Sequence, residues 1–106
     1  MSALRRTLTV PARRGGNVIV IYRPSDLTLS DYEGAETDPI GTAVRLIVSS
    51  VARWDILTKA GVRHPITPAS VRELPAWLVL DIAGAIAADV RLLVVAEIER
   101  QRMTAA

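Results

Sequence analysis

Few residues in this chain have the type and spacing to do chemistry, and each has a plainer reading beside the chemical one. His64 is the only histidine, so a histidine-based nucleophilic relay would rest on it alone. It precedes Pro65 with no serine or cysteine nucleophile motif nearby, and we read it as a surface or loop histidine. Asp81 and Asp89 stand on one stretch at a separation that brings them near one helical face. Paired carboxylates serve as acid and base when their surroundings drive their pKa values apart. Their neighbours here are apolar over several turns, so a polar edge on a buried helix is the better reading. Gly15-Gly16 precedes a strand-like run, whereas a phosphate-binding glycine loop needs a helix after it. There is no cysteine and no zinc spacing, which excludes disulfides and thiolate metal sites. The expectation is a chain without enzymatic activity, cofactor or metal.

Charge supplies one more candidate. Thirteen basic residues, all arginine except Lys59, face eleven carboxylates, for a formal net charge of +2. The pI of about 9.7 thus reflects the very high pKa of arginine on a nearly balanced chain, not a strong positive field. Arg5, Arg6, Arg13 and Arg14 form the one cationic cluster with a claim on phosphate. A solvated hairpin is the simpler account, so a nucleic-acid partner is not expected. Thr7, Arg13 and Arg14 interrupt any apolar run that a signal peptide would need. Residues 76–96 are long enough to span a bilayer, but Asp81, Asp89 and Arg91 lie inside the stretch. Each charge near a bilayer centre costs about 2.5–3.5 kcal/mol, so a soluble helix is expected and no membrane.

The elements that must position these residues follow from pattern. With 106 residues, half of them hydrophobic, one domain with its own core is expected. Residues 4–10 and 17–22 are rich in Thr, Val and Ile, and Pro11, Gly15 and Gly16 lie between them. That pattern predicts an antiparallel hairpin within residues 1–23, packed on a small helical bundle formed by 24–106. Arg23-Pro24 ends the second strand. Residues 25–36 give a short helical turn capped by Ser25 or Thr28.

Asp38-Pro39 is a stronger helix start, with a side-chain acceptor followed by a proline in the first turn. Ile40, Ala43, Val44, Ile47, Val51 and Trp54 then recur at helical spacing, predicting a helix to about Trp54. Leu46 and Val48 fall off that stripe, which implies contact on more than one side. Residues 55–66 break the period as a loop or small hairpin around Thr58-Lys59-Ala60-Gly61. Thr67-Pro68 opens a short helix through Glu73, and Leu74-Pro75 ends it. A last helix from Pro75 to about Arg102 is apolar on nearly every side before Glu97. A small domain has few elements to cover such a helix, so a protein partner or self-association is expected. The overall expectation is an α+β, mainly helical fold that works by binding another polypeptide.

The run Trp54-Asp55-Ile56, Gly61, Pro65-Ile66-Thr67-Pro68, Leu74-Pro75 and the apolar helix that follows resembles tail assembly chaperones of long-tailed, siphovirus-type actinobacteriophages. Tyr22-Arg23-Pro24 with Leu27-Thr28 is similar to that family's entry to its helical part. Thr58, Lys59 and Ala60 stand where the family usually carries acidic residues, and Ile56 where leucine is more usual. The hairpin carries no family signature.

The resemblance implies a protein of the host cytoplasm, missing from the finished virion. It would coat the tape measure protein and keep it soluble during tail assembly, with tail tube protein as a second candidate contact. Many such chaperones have a longer frameshifted form, and the ending Met103-Thr104-Ala105-Ala106 would match the short form or shared domain. Trp54 and Trp77 are expected as core anchors that lock the 55–66 loop onto the helices. Asp55 would brace the turn after it, and Pro65, Pro68 and Pro75 would fix chain direction. Client contact is expected at Leu92, Val95 and Ile98. Two other classes stand beside this one: a small structural virion subunit of the head–tail or tail-tip region, and a nucleic-acid-binding regulator using the arginine cluster.

Overall fold

The computed structural model describes residues 4–13 and 16–105. Arg14 and Gly15, which belong to the expected arginine cluster and hairpin turn, lie outside the described residues, as does Ala106. Strands β1 (Arg6–Pro11) and β2 (Asn17–Tyr22) form the expected antiparallel hairpin, with Arg6 opposite Tyr22 and Pro11 opposite Asn17. Val10, Val20 and Tyr22 are buried while Thr7 and Thr9 are exposed, so helices cover one face of the sheet only.

After β2 the chain makes two short 3-10 turns, Pro24–Asp26 and Leu29–Tyr32. Thr28 heads the second through a reciprocal cap: its backbone N–H donates to the Asp31 carboxylate at 2.8 Å. Asp31 also accepts from Ser49 Oγ at 3.0 Å, tying this turn to the following helix. The backbone hydrogen bond from Thr28 is the main reason its carboxyl is held below the ordinary range.

Helix α1 spans Pro39–Ser50 and begins as the sequence predicts, with Asp38 Oδ1 accepting from Gly41 N at 2.9 Å. Ala43, Val44 and Ile47 are buried, and Leu46 as well, so α1 is contacted on more than one side. Its end differs from expectation. The helix stops at Ser50, and Val51–Trp54 forms a third strand, β3, paired antiparallel with β2 in the order β1-β2-β3. Spacings of three and four between Ile47, Val51 and Trp54 fit a helix. They also fit a helix that passes into a strand whose two ends point inward, as Val51 and Trp54 do. The hydrogen-bonding edge of β2 decides between them. Val20 pairs with Trp54 and Tyr22 with Val51, and the Arg23 N–H donates to the Ser50 carbonyl at 2.9 Å. A helix through Trp54 would leave that half-buried edge unpaired.

Residues 55–66 form a small hairpin-like loop with one bridge between Leu57 and Arg63. Gly61 sits at its tip with φ +78, a conformation that favours glycine. Thr67 then caps the short helix α2 (Pro68–Val71), accepting from Ser70 N at 3.2 Å. This helix stops two residues earlier than expected. Pro75 precedes α3 (Ala76–Ala105), a helix of 30 residues. The core lies between the sheet, α1 and the first half of α3, with Tyr22, Ile47, Trp54, Ile82 and Ile86 among its most buried members.

Removing the α1 cap by Asp38→Ala should lower stability by about 1 kcal/mol, read as a shift in the denaturant midpoint. Asp38→Asn should recover most of that loss, because an amide oxygen also accepts the Gly41 N–H.

Candidate partner-binding surface

Two arginines of the hairpin meet the two aspartates of α3. Asp89 is buried, and Arg6 grips it with two of its nitrogens: Nε to Oδ2 at 2.6 Å and Nη2 to Oδ1 at 3.0 Å. The Tyr22 hydroxyl donates to the same Oδ2 at 2.5 Å. About two turns earlier, Arg13 reaches Asp81 at 3.2 Å, and its guanidinium lies 5.6 Å from the Trp77 ring centre. The hairpin is thus strapped along α3 at two points. These carboxylates are anchors for the sheet, and two of the four clustered arginines are already engaged.

The hydrogen bonds from Arg6 hold the Asp89 carboxyl below its ordinary range against the cost of burial. Burial, and then the bond to Asp89, push the Tyr22 phenol well above its ordinary value. Fixed in these protonation states, the trio is a structural lock.

The residues of the 54–75 run make a second internal brace. Trp54 is buried, and its Nε1 donates to the His64 carbonyl at 2.8 Å, pinning the loop to the core. His64 stands half-buried, with its N–H on the Ile56 carbonyl at 2.7 Å and Nε2 on the Ser70 carbonyl at 2.7 Å. It therefore ties the loop to α2. Asp55 differs from expectation: its Oδ1 accepts from Ile19 N at 2.8 Å, so it closes the β2–β3 ladder and not the turn after it. Trp77 is half-buried at the core edge against Arg13. Pro65, Pro68 and Pro75 are exposed, and Leu74 is half-buried against the core.

The second half of α3 is different. Leu78, Val79, Ile82, Ile86 and Asp89 face the core, and Leu93 continues that stripe half-buried. The next positions on the stripe are Glu97 and Arg100, both exposed. At about 1.5 Å per residue, α3 is about 45 Å long. The whole molecule measures 56 × 29 × 27 Å, so the helix extends beyond the body. Leu92 is 68% exposed, Val94 53%, Val95 49%, Ile98 48% and Met103 79%. At about 100° per residue, Val95 points roughly opposite to Leu93. The apolar residues of the distal half thus lie away from the core stripe. Leu92, Val95 and Ile98 were named from the sequence. Val94 and Met103 were not, although the turn to Glu97 and Arg100 on the core stripe is a signal for where the helix leaves the body.

Among the described residues, no group of three His, Cys, Asp or Glu side chains could hold a metal ion. No described helix is long and apolar enough to cross a membrane. A shallow apolar groove between α1 and the first half of α3 is lined by Leu46, Leu80, Gly84 and Ala87. Compared with protein-family models, curated proteins and solved structures, the chain gives no match.

Asp89→Asn should lower the urea midpoint at neutral pH, because the buried position loses the charge that Arg6 and the Tyr22 hydroxyl both hydrogen-bond. The sign with pH follows from the depressed Asp89 pKa. Its contribution is complete above the unfolded value of about 4 and is lost as pH falls through the lower folded value. For Tyr22 the folded pKa is raised, so its contribution is present below about 10 and lost as pH rises beyond that. Urea unfolding across pH should show the gap between wild type and Asp89→Asn shrinking in acid. A gap that stays constant would show that the Asp89 charge is not what locks the hairpin.

Proposed function

We propose that this chain is a non-enzymatic assembly chaperone that covers an apolar helical client, the tape measure protein of a long-tailed phage, during tail assembly. One observation carries the reading: the distal half of α3 presents Leu92, Val95 and Ile98 to solvent on a helix that leaves its own domain. Exposed apolar rows of this kind mark protein-binding sites, and at helical spacing they suit another amphipathic helix. The likeness of residues 54–80 to tail assembly chaperones supplies the identity of the client. The strapped hairpin and the loop brace serve as a rigid platform for that helix. A chaperone must release its client, and a patch of a few side chains without deep pockets suits reversible contact.

Co-expression with the tape measure protein tests this. The expected result is a soluble client that co-purifies with the chain. Leu92→Asp combined with Ile98→Asp should return the client to the insoluble fraction without unfolding the chaperone, since both positions are exposed. No co-purification with the wild-type chain would reject the reading. Detection of the chain in purified particles by mass spectrometry would instead favour a structural virion subunit.

A further inference from the structure

The exposed face of distal α3 reads alike in both directions from Val95. Three residues away on either side stand Leu92 and Ile98; four residues away stand Arg91 and Glu99. All five are exposed. Residues three and four apart share a helix face, so these five make one patch, apolar along its middle and oppositely charged at its ends. One turn further out the sizes complement each other. Ala88 and Ala87 lie toward the body, and Arg102 and Met103 lie at the matching distances toward the tip.

A two-fold axis through Val95, with the helices antiparallel, places each residue against its mirror position in a second copy. Leu92 then packs on Ile98 of that copy, and Arg91 meets its Glu99, twice by symmetry, beside the exposed contact of Glu99 with Arg102 of its own helix at 3.6 Å. Met103 settles over the small Ala87. A parallel pairing would set Arg91 against Arg91 and Glu99 against Glu99. Residues 97–105 of each helix then run beside 85–93 of the other, on the side where Ala88, Arg91 and Leu92 are exposed. We propose that a second copy of this chain covers distal α3, forming an antiparallel dimer with its axis at Val95. The inference does not depend on the tail-chaperone reading, but it occupies the same Leu92, Val95 and Ile98, so a client at that face must displace the second copy.

The test uses the full chain in sedimentation equilibrium over a range of concentrations. The wild type should dimerise. Glu99→Arg should weaken the dimer by at least about tenfold, since it sets two like-charged pairs face to face. Adding Arg91→Glu to the same chain exchanges the charges and should restore the wild-type constant. The chain has no cysteine of its own, which makes a single introduced thiol a clean probe. Val95→Cys should cross-link to its counterpart under mild oxidation. Leu92→Cys should not, because in this register its counterpart lies about 9 Å away along the axis, beyond disulfide reach. A monomer at every concentration overturns the proposal. So does a dimer in which the double charge variant stays as weak as the single, or in which Leu92→Cys cross-links and Val95→Cys does not.

Discussion

Asp89 sits where α3 passes under the hairpin, close to the point at which that helix leaves the body. A carboxylate there is poor in water contact and would be expensive without partners. Arg6 supplies the opposite charge in a two-pronged grip and Tyr22 a third hydrogen bond, so every near neighbour favours the ionised acid. The contact joins residues 83 positions apart in sequence. It fixes the hairpin in register on the helix, and the hairpin in turn gives β3 an edge to pair with. Without the carboxylate the sheet keeps only the Arg13–Asp81 contact and its core packing to hold it on α3.

The seating of the sheet also sets how much of α3 is covered. Hairpin and α1 together cover the core-facing stripe of the helix from Leu78 to about Leu93, and no described strand or helix covers its opposite face or the turns beyond. Leu92, Val94, Val95 and Ile98 are therefore exposed by geometry, not by poor packing. Glu97 and Arg100 take over the core-facing stripe at the point where the core ends. The apolar row and the polar row exchange sides there, so the outer half of the helix carries its apolar side chains away from the core stripe.

Between the sheet and α3, residues 54–75 form a second brace with a different chemistry. Trp54 fills the core and uses its ring N–H to hold the His64 carbonyl, while His64 reaches across to α2. Asp55 seals the end of the strand ladder. The residues on which the family likeness rests are thus mostly spoken for by internal contacts. These positions hold the loop, α2 and the sheet together, and the exposed apolar side chains lie elsewhere, on the far half of α3.

Much of the local structure was legible because it rests on neighbouring residues. The hairpin alternation, the Asp38-Pro39 and Thr67-Pro68 helix starts, the turn at Gly61 and the long final helix all follow from short-range stereochemistry, and all are present. Three features needed distant partners and could not be read from spacing. Val51–Trp54 became a strand because β2 had an open edge; Asp55 turned to Ile19 because that strand stood beside it. Asp81 and Asp89 became anchors because the hairpin arginines lay across from them. Pattern alone established an apolar excess in the last helix. Only the packed body decided which side chains carry that excess, because exposure depends on where neighbouring elements stop, and no local sequence rule records that.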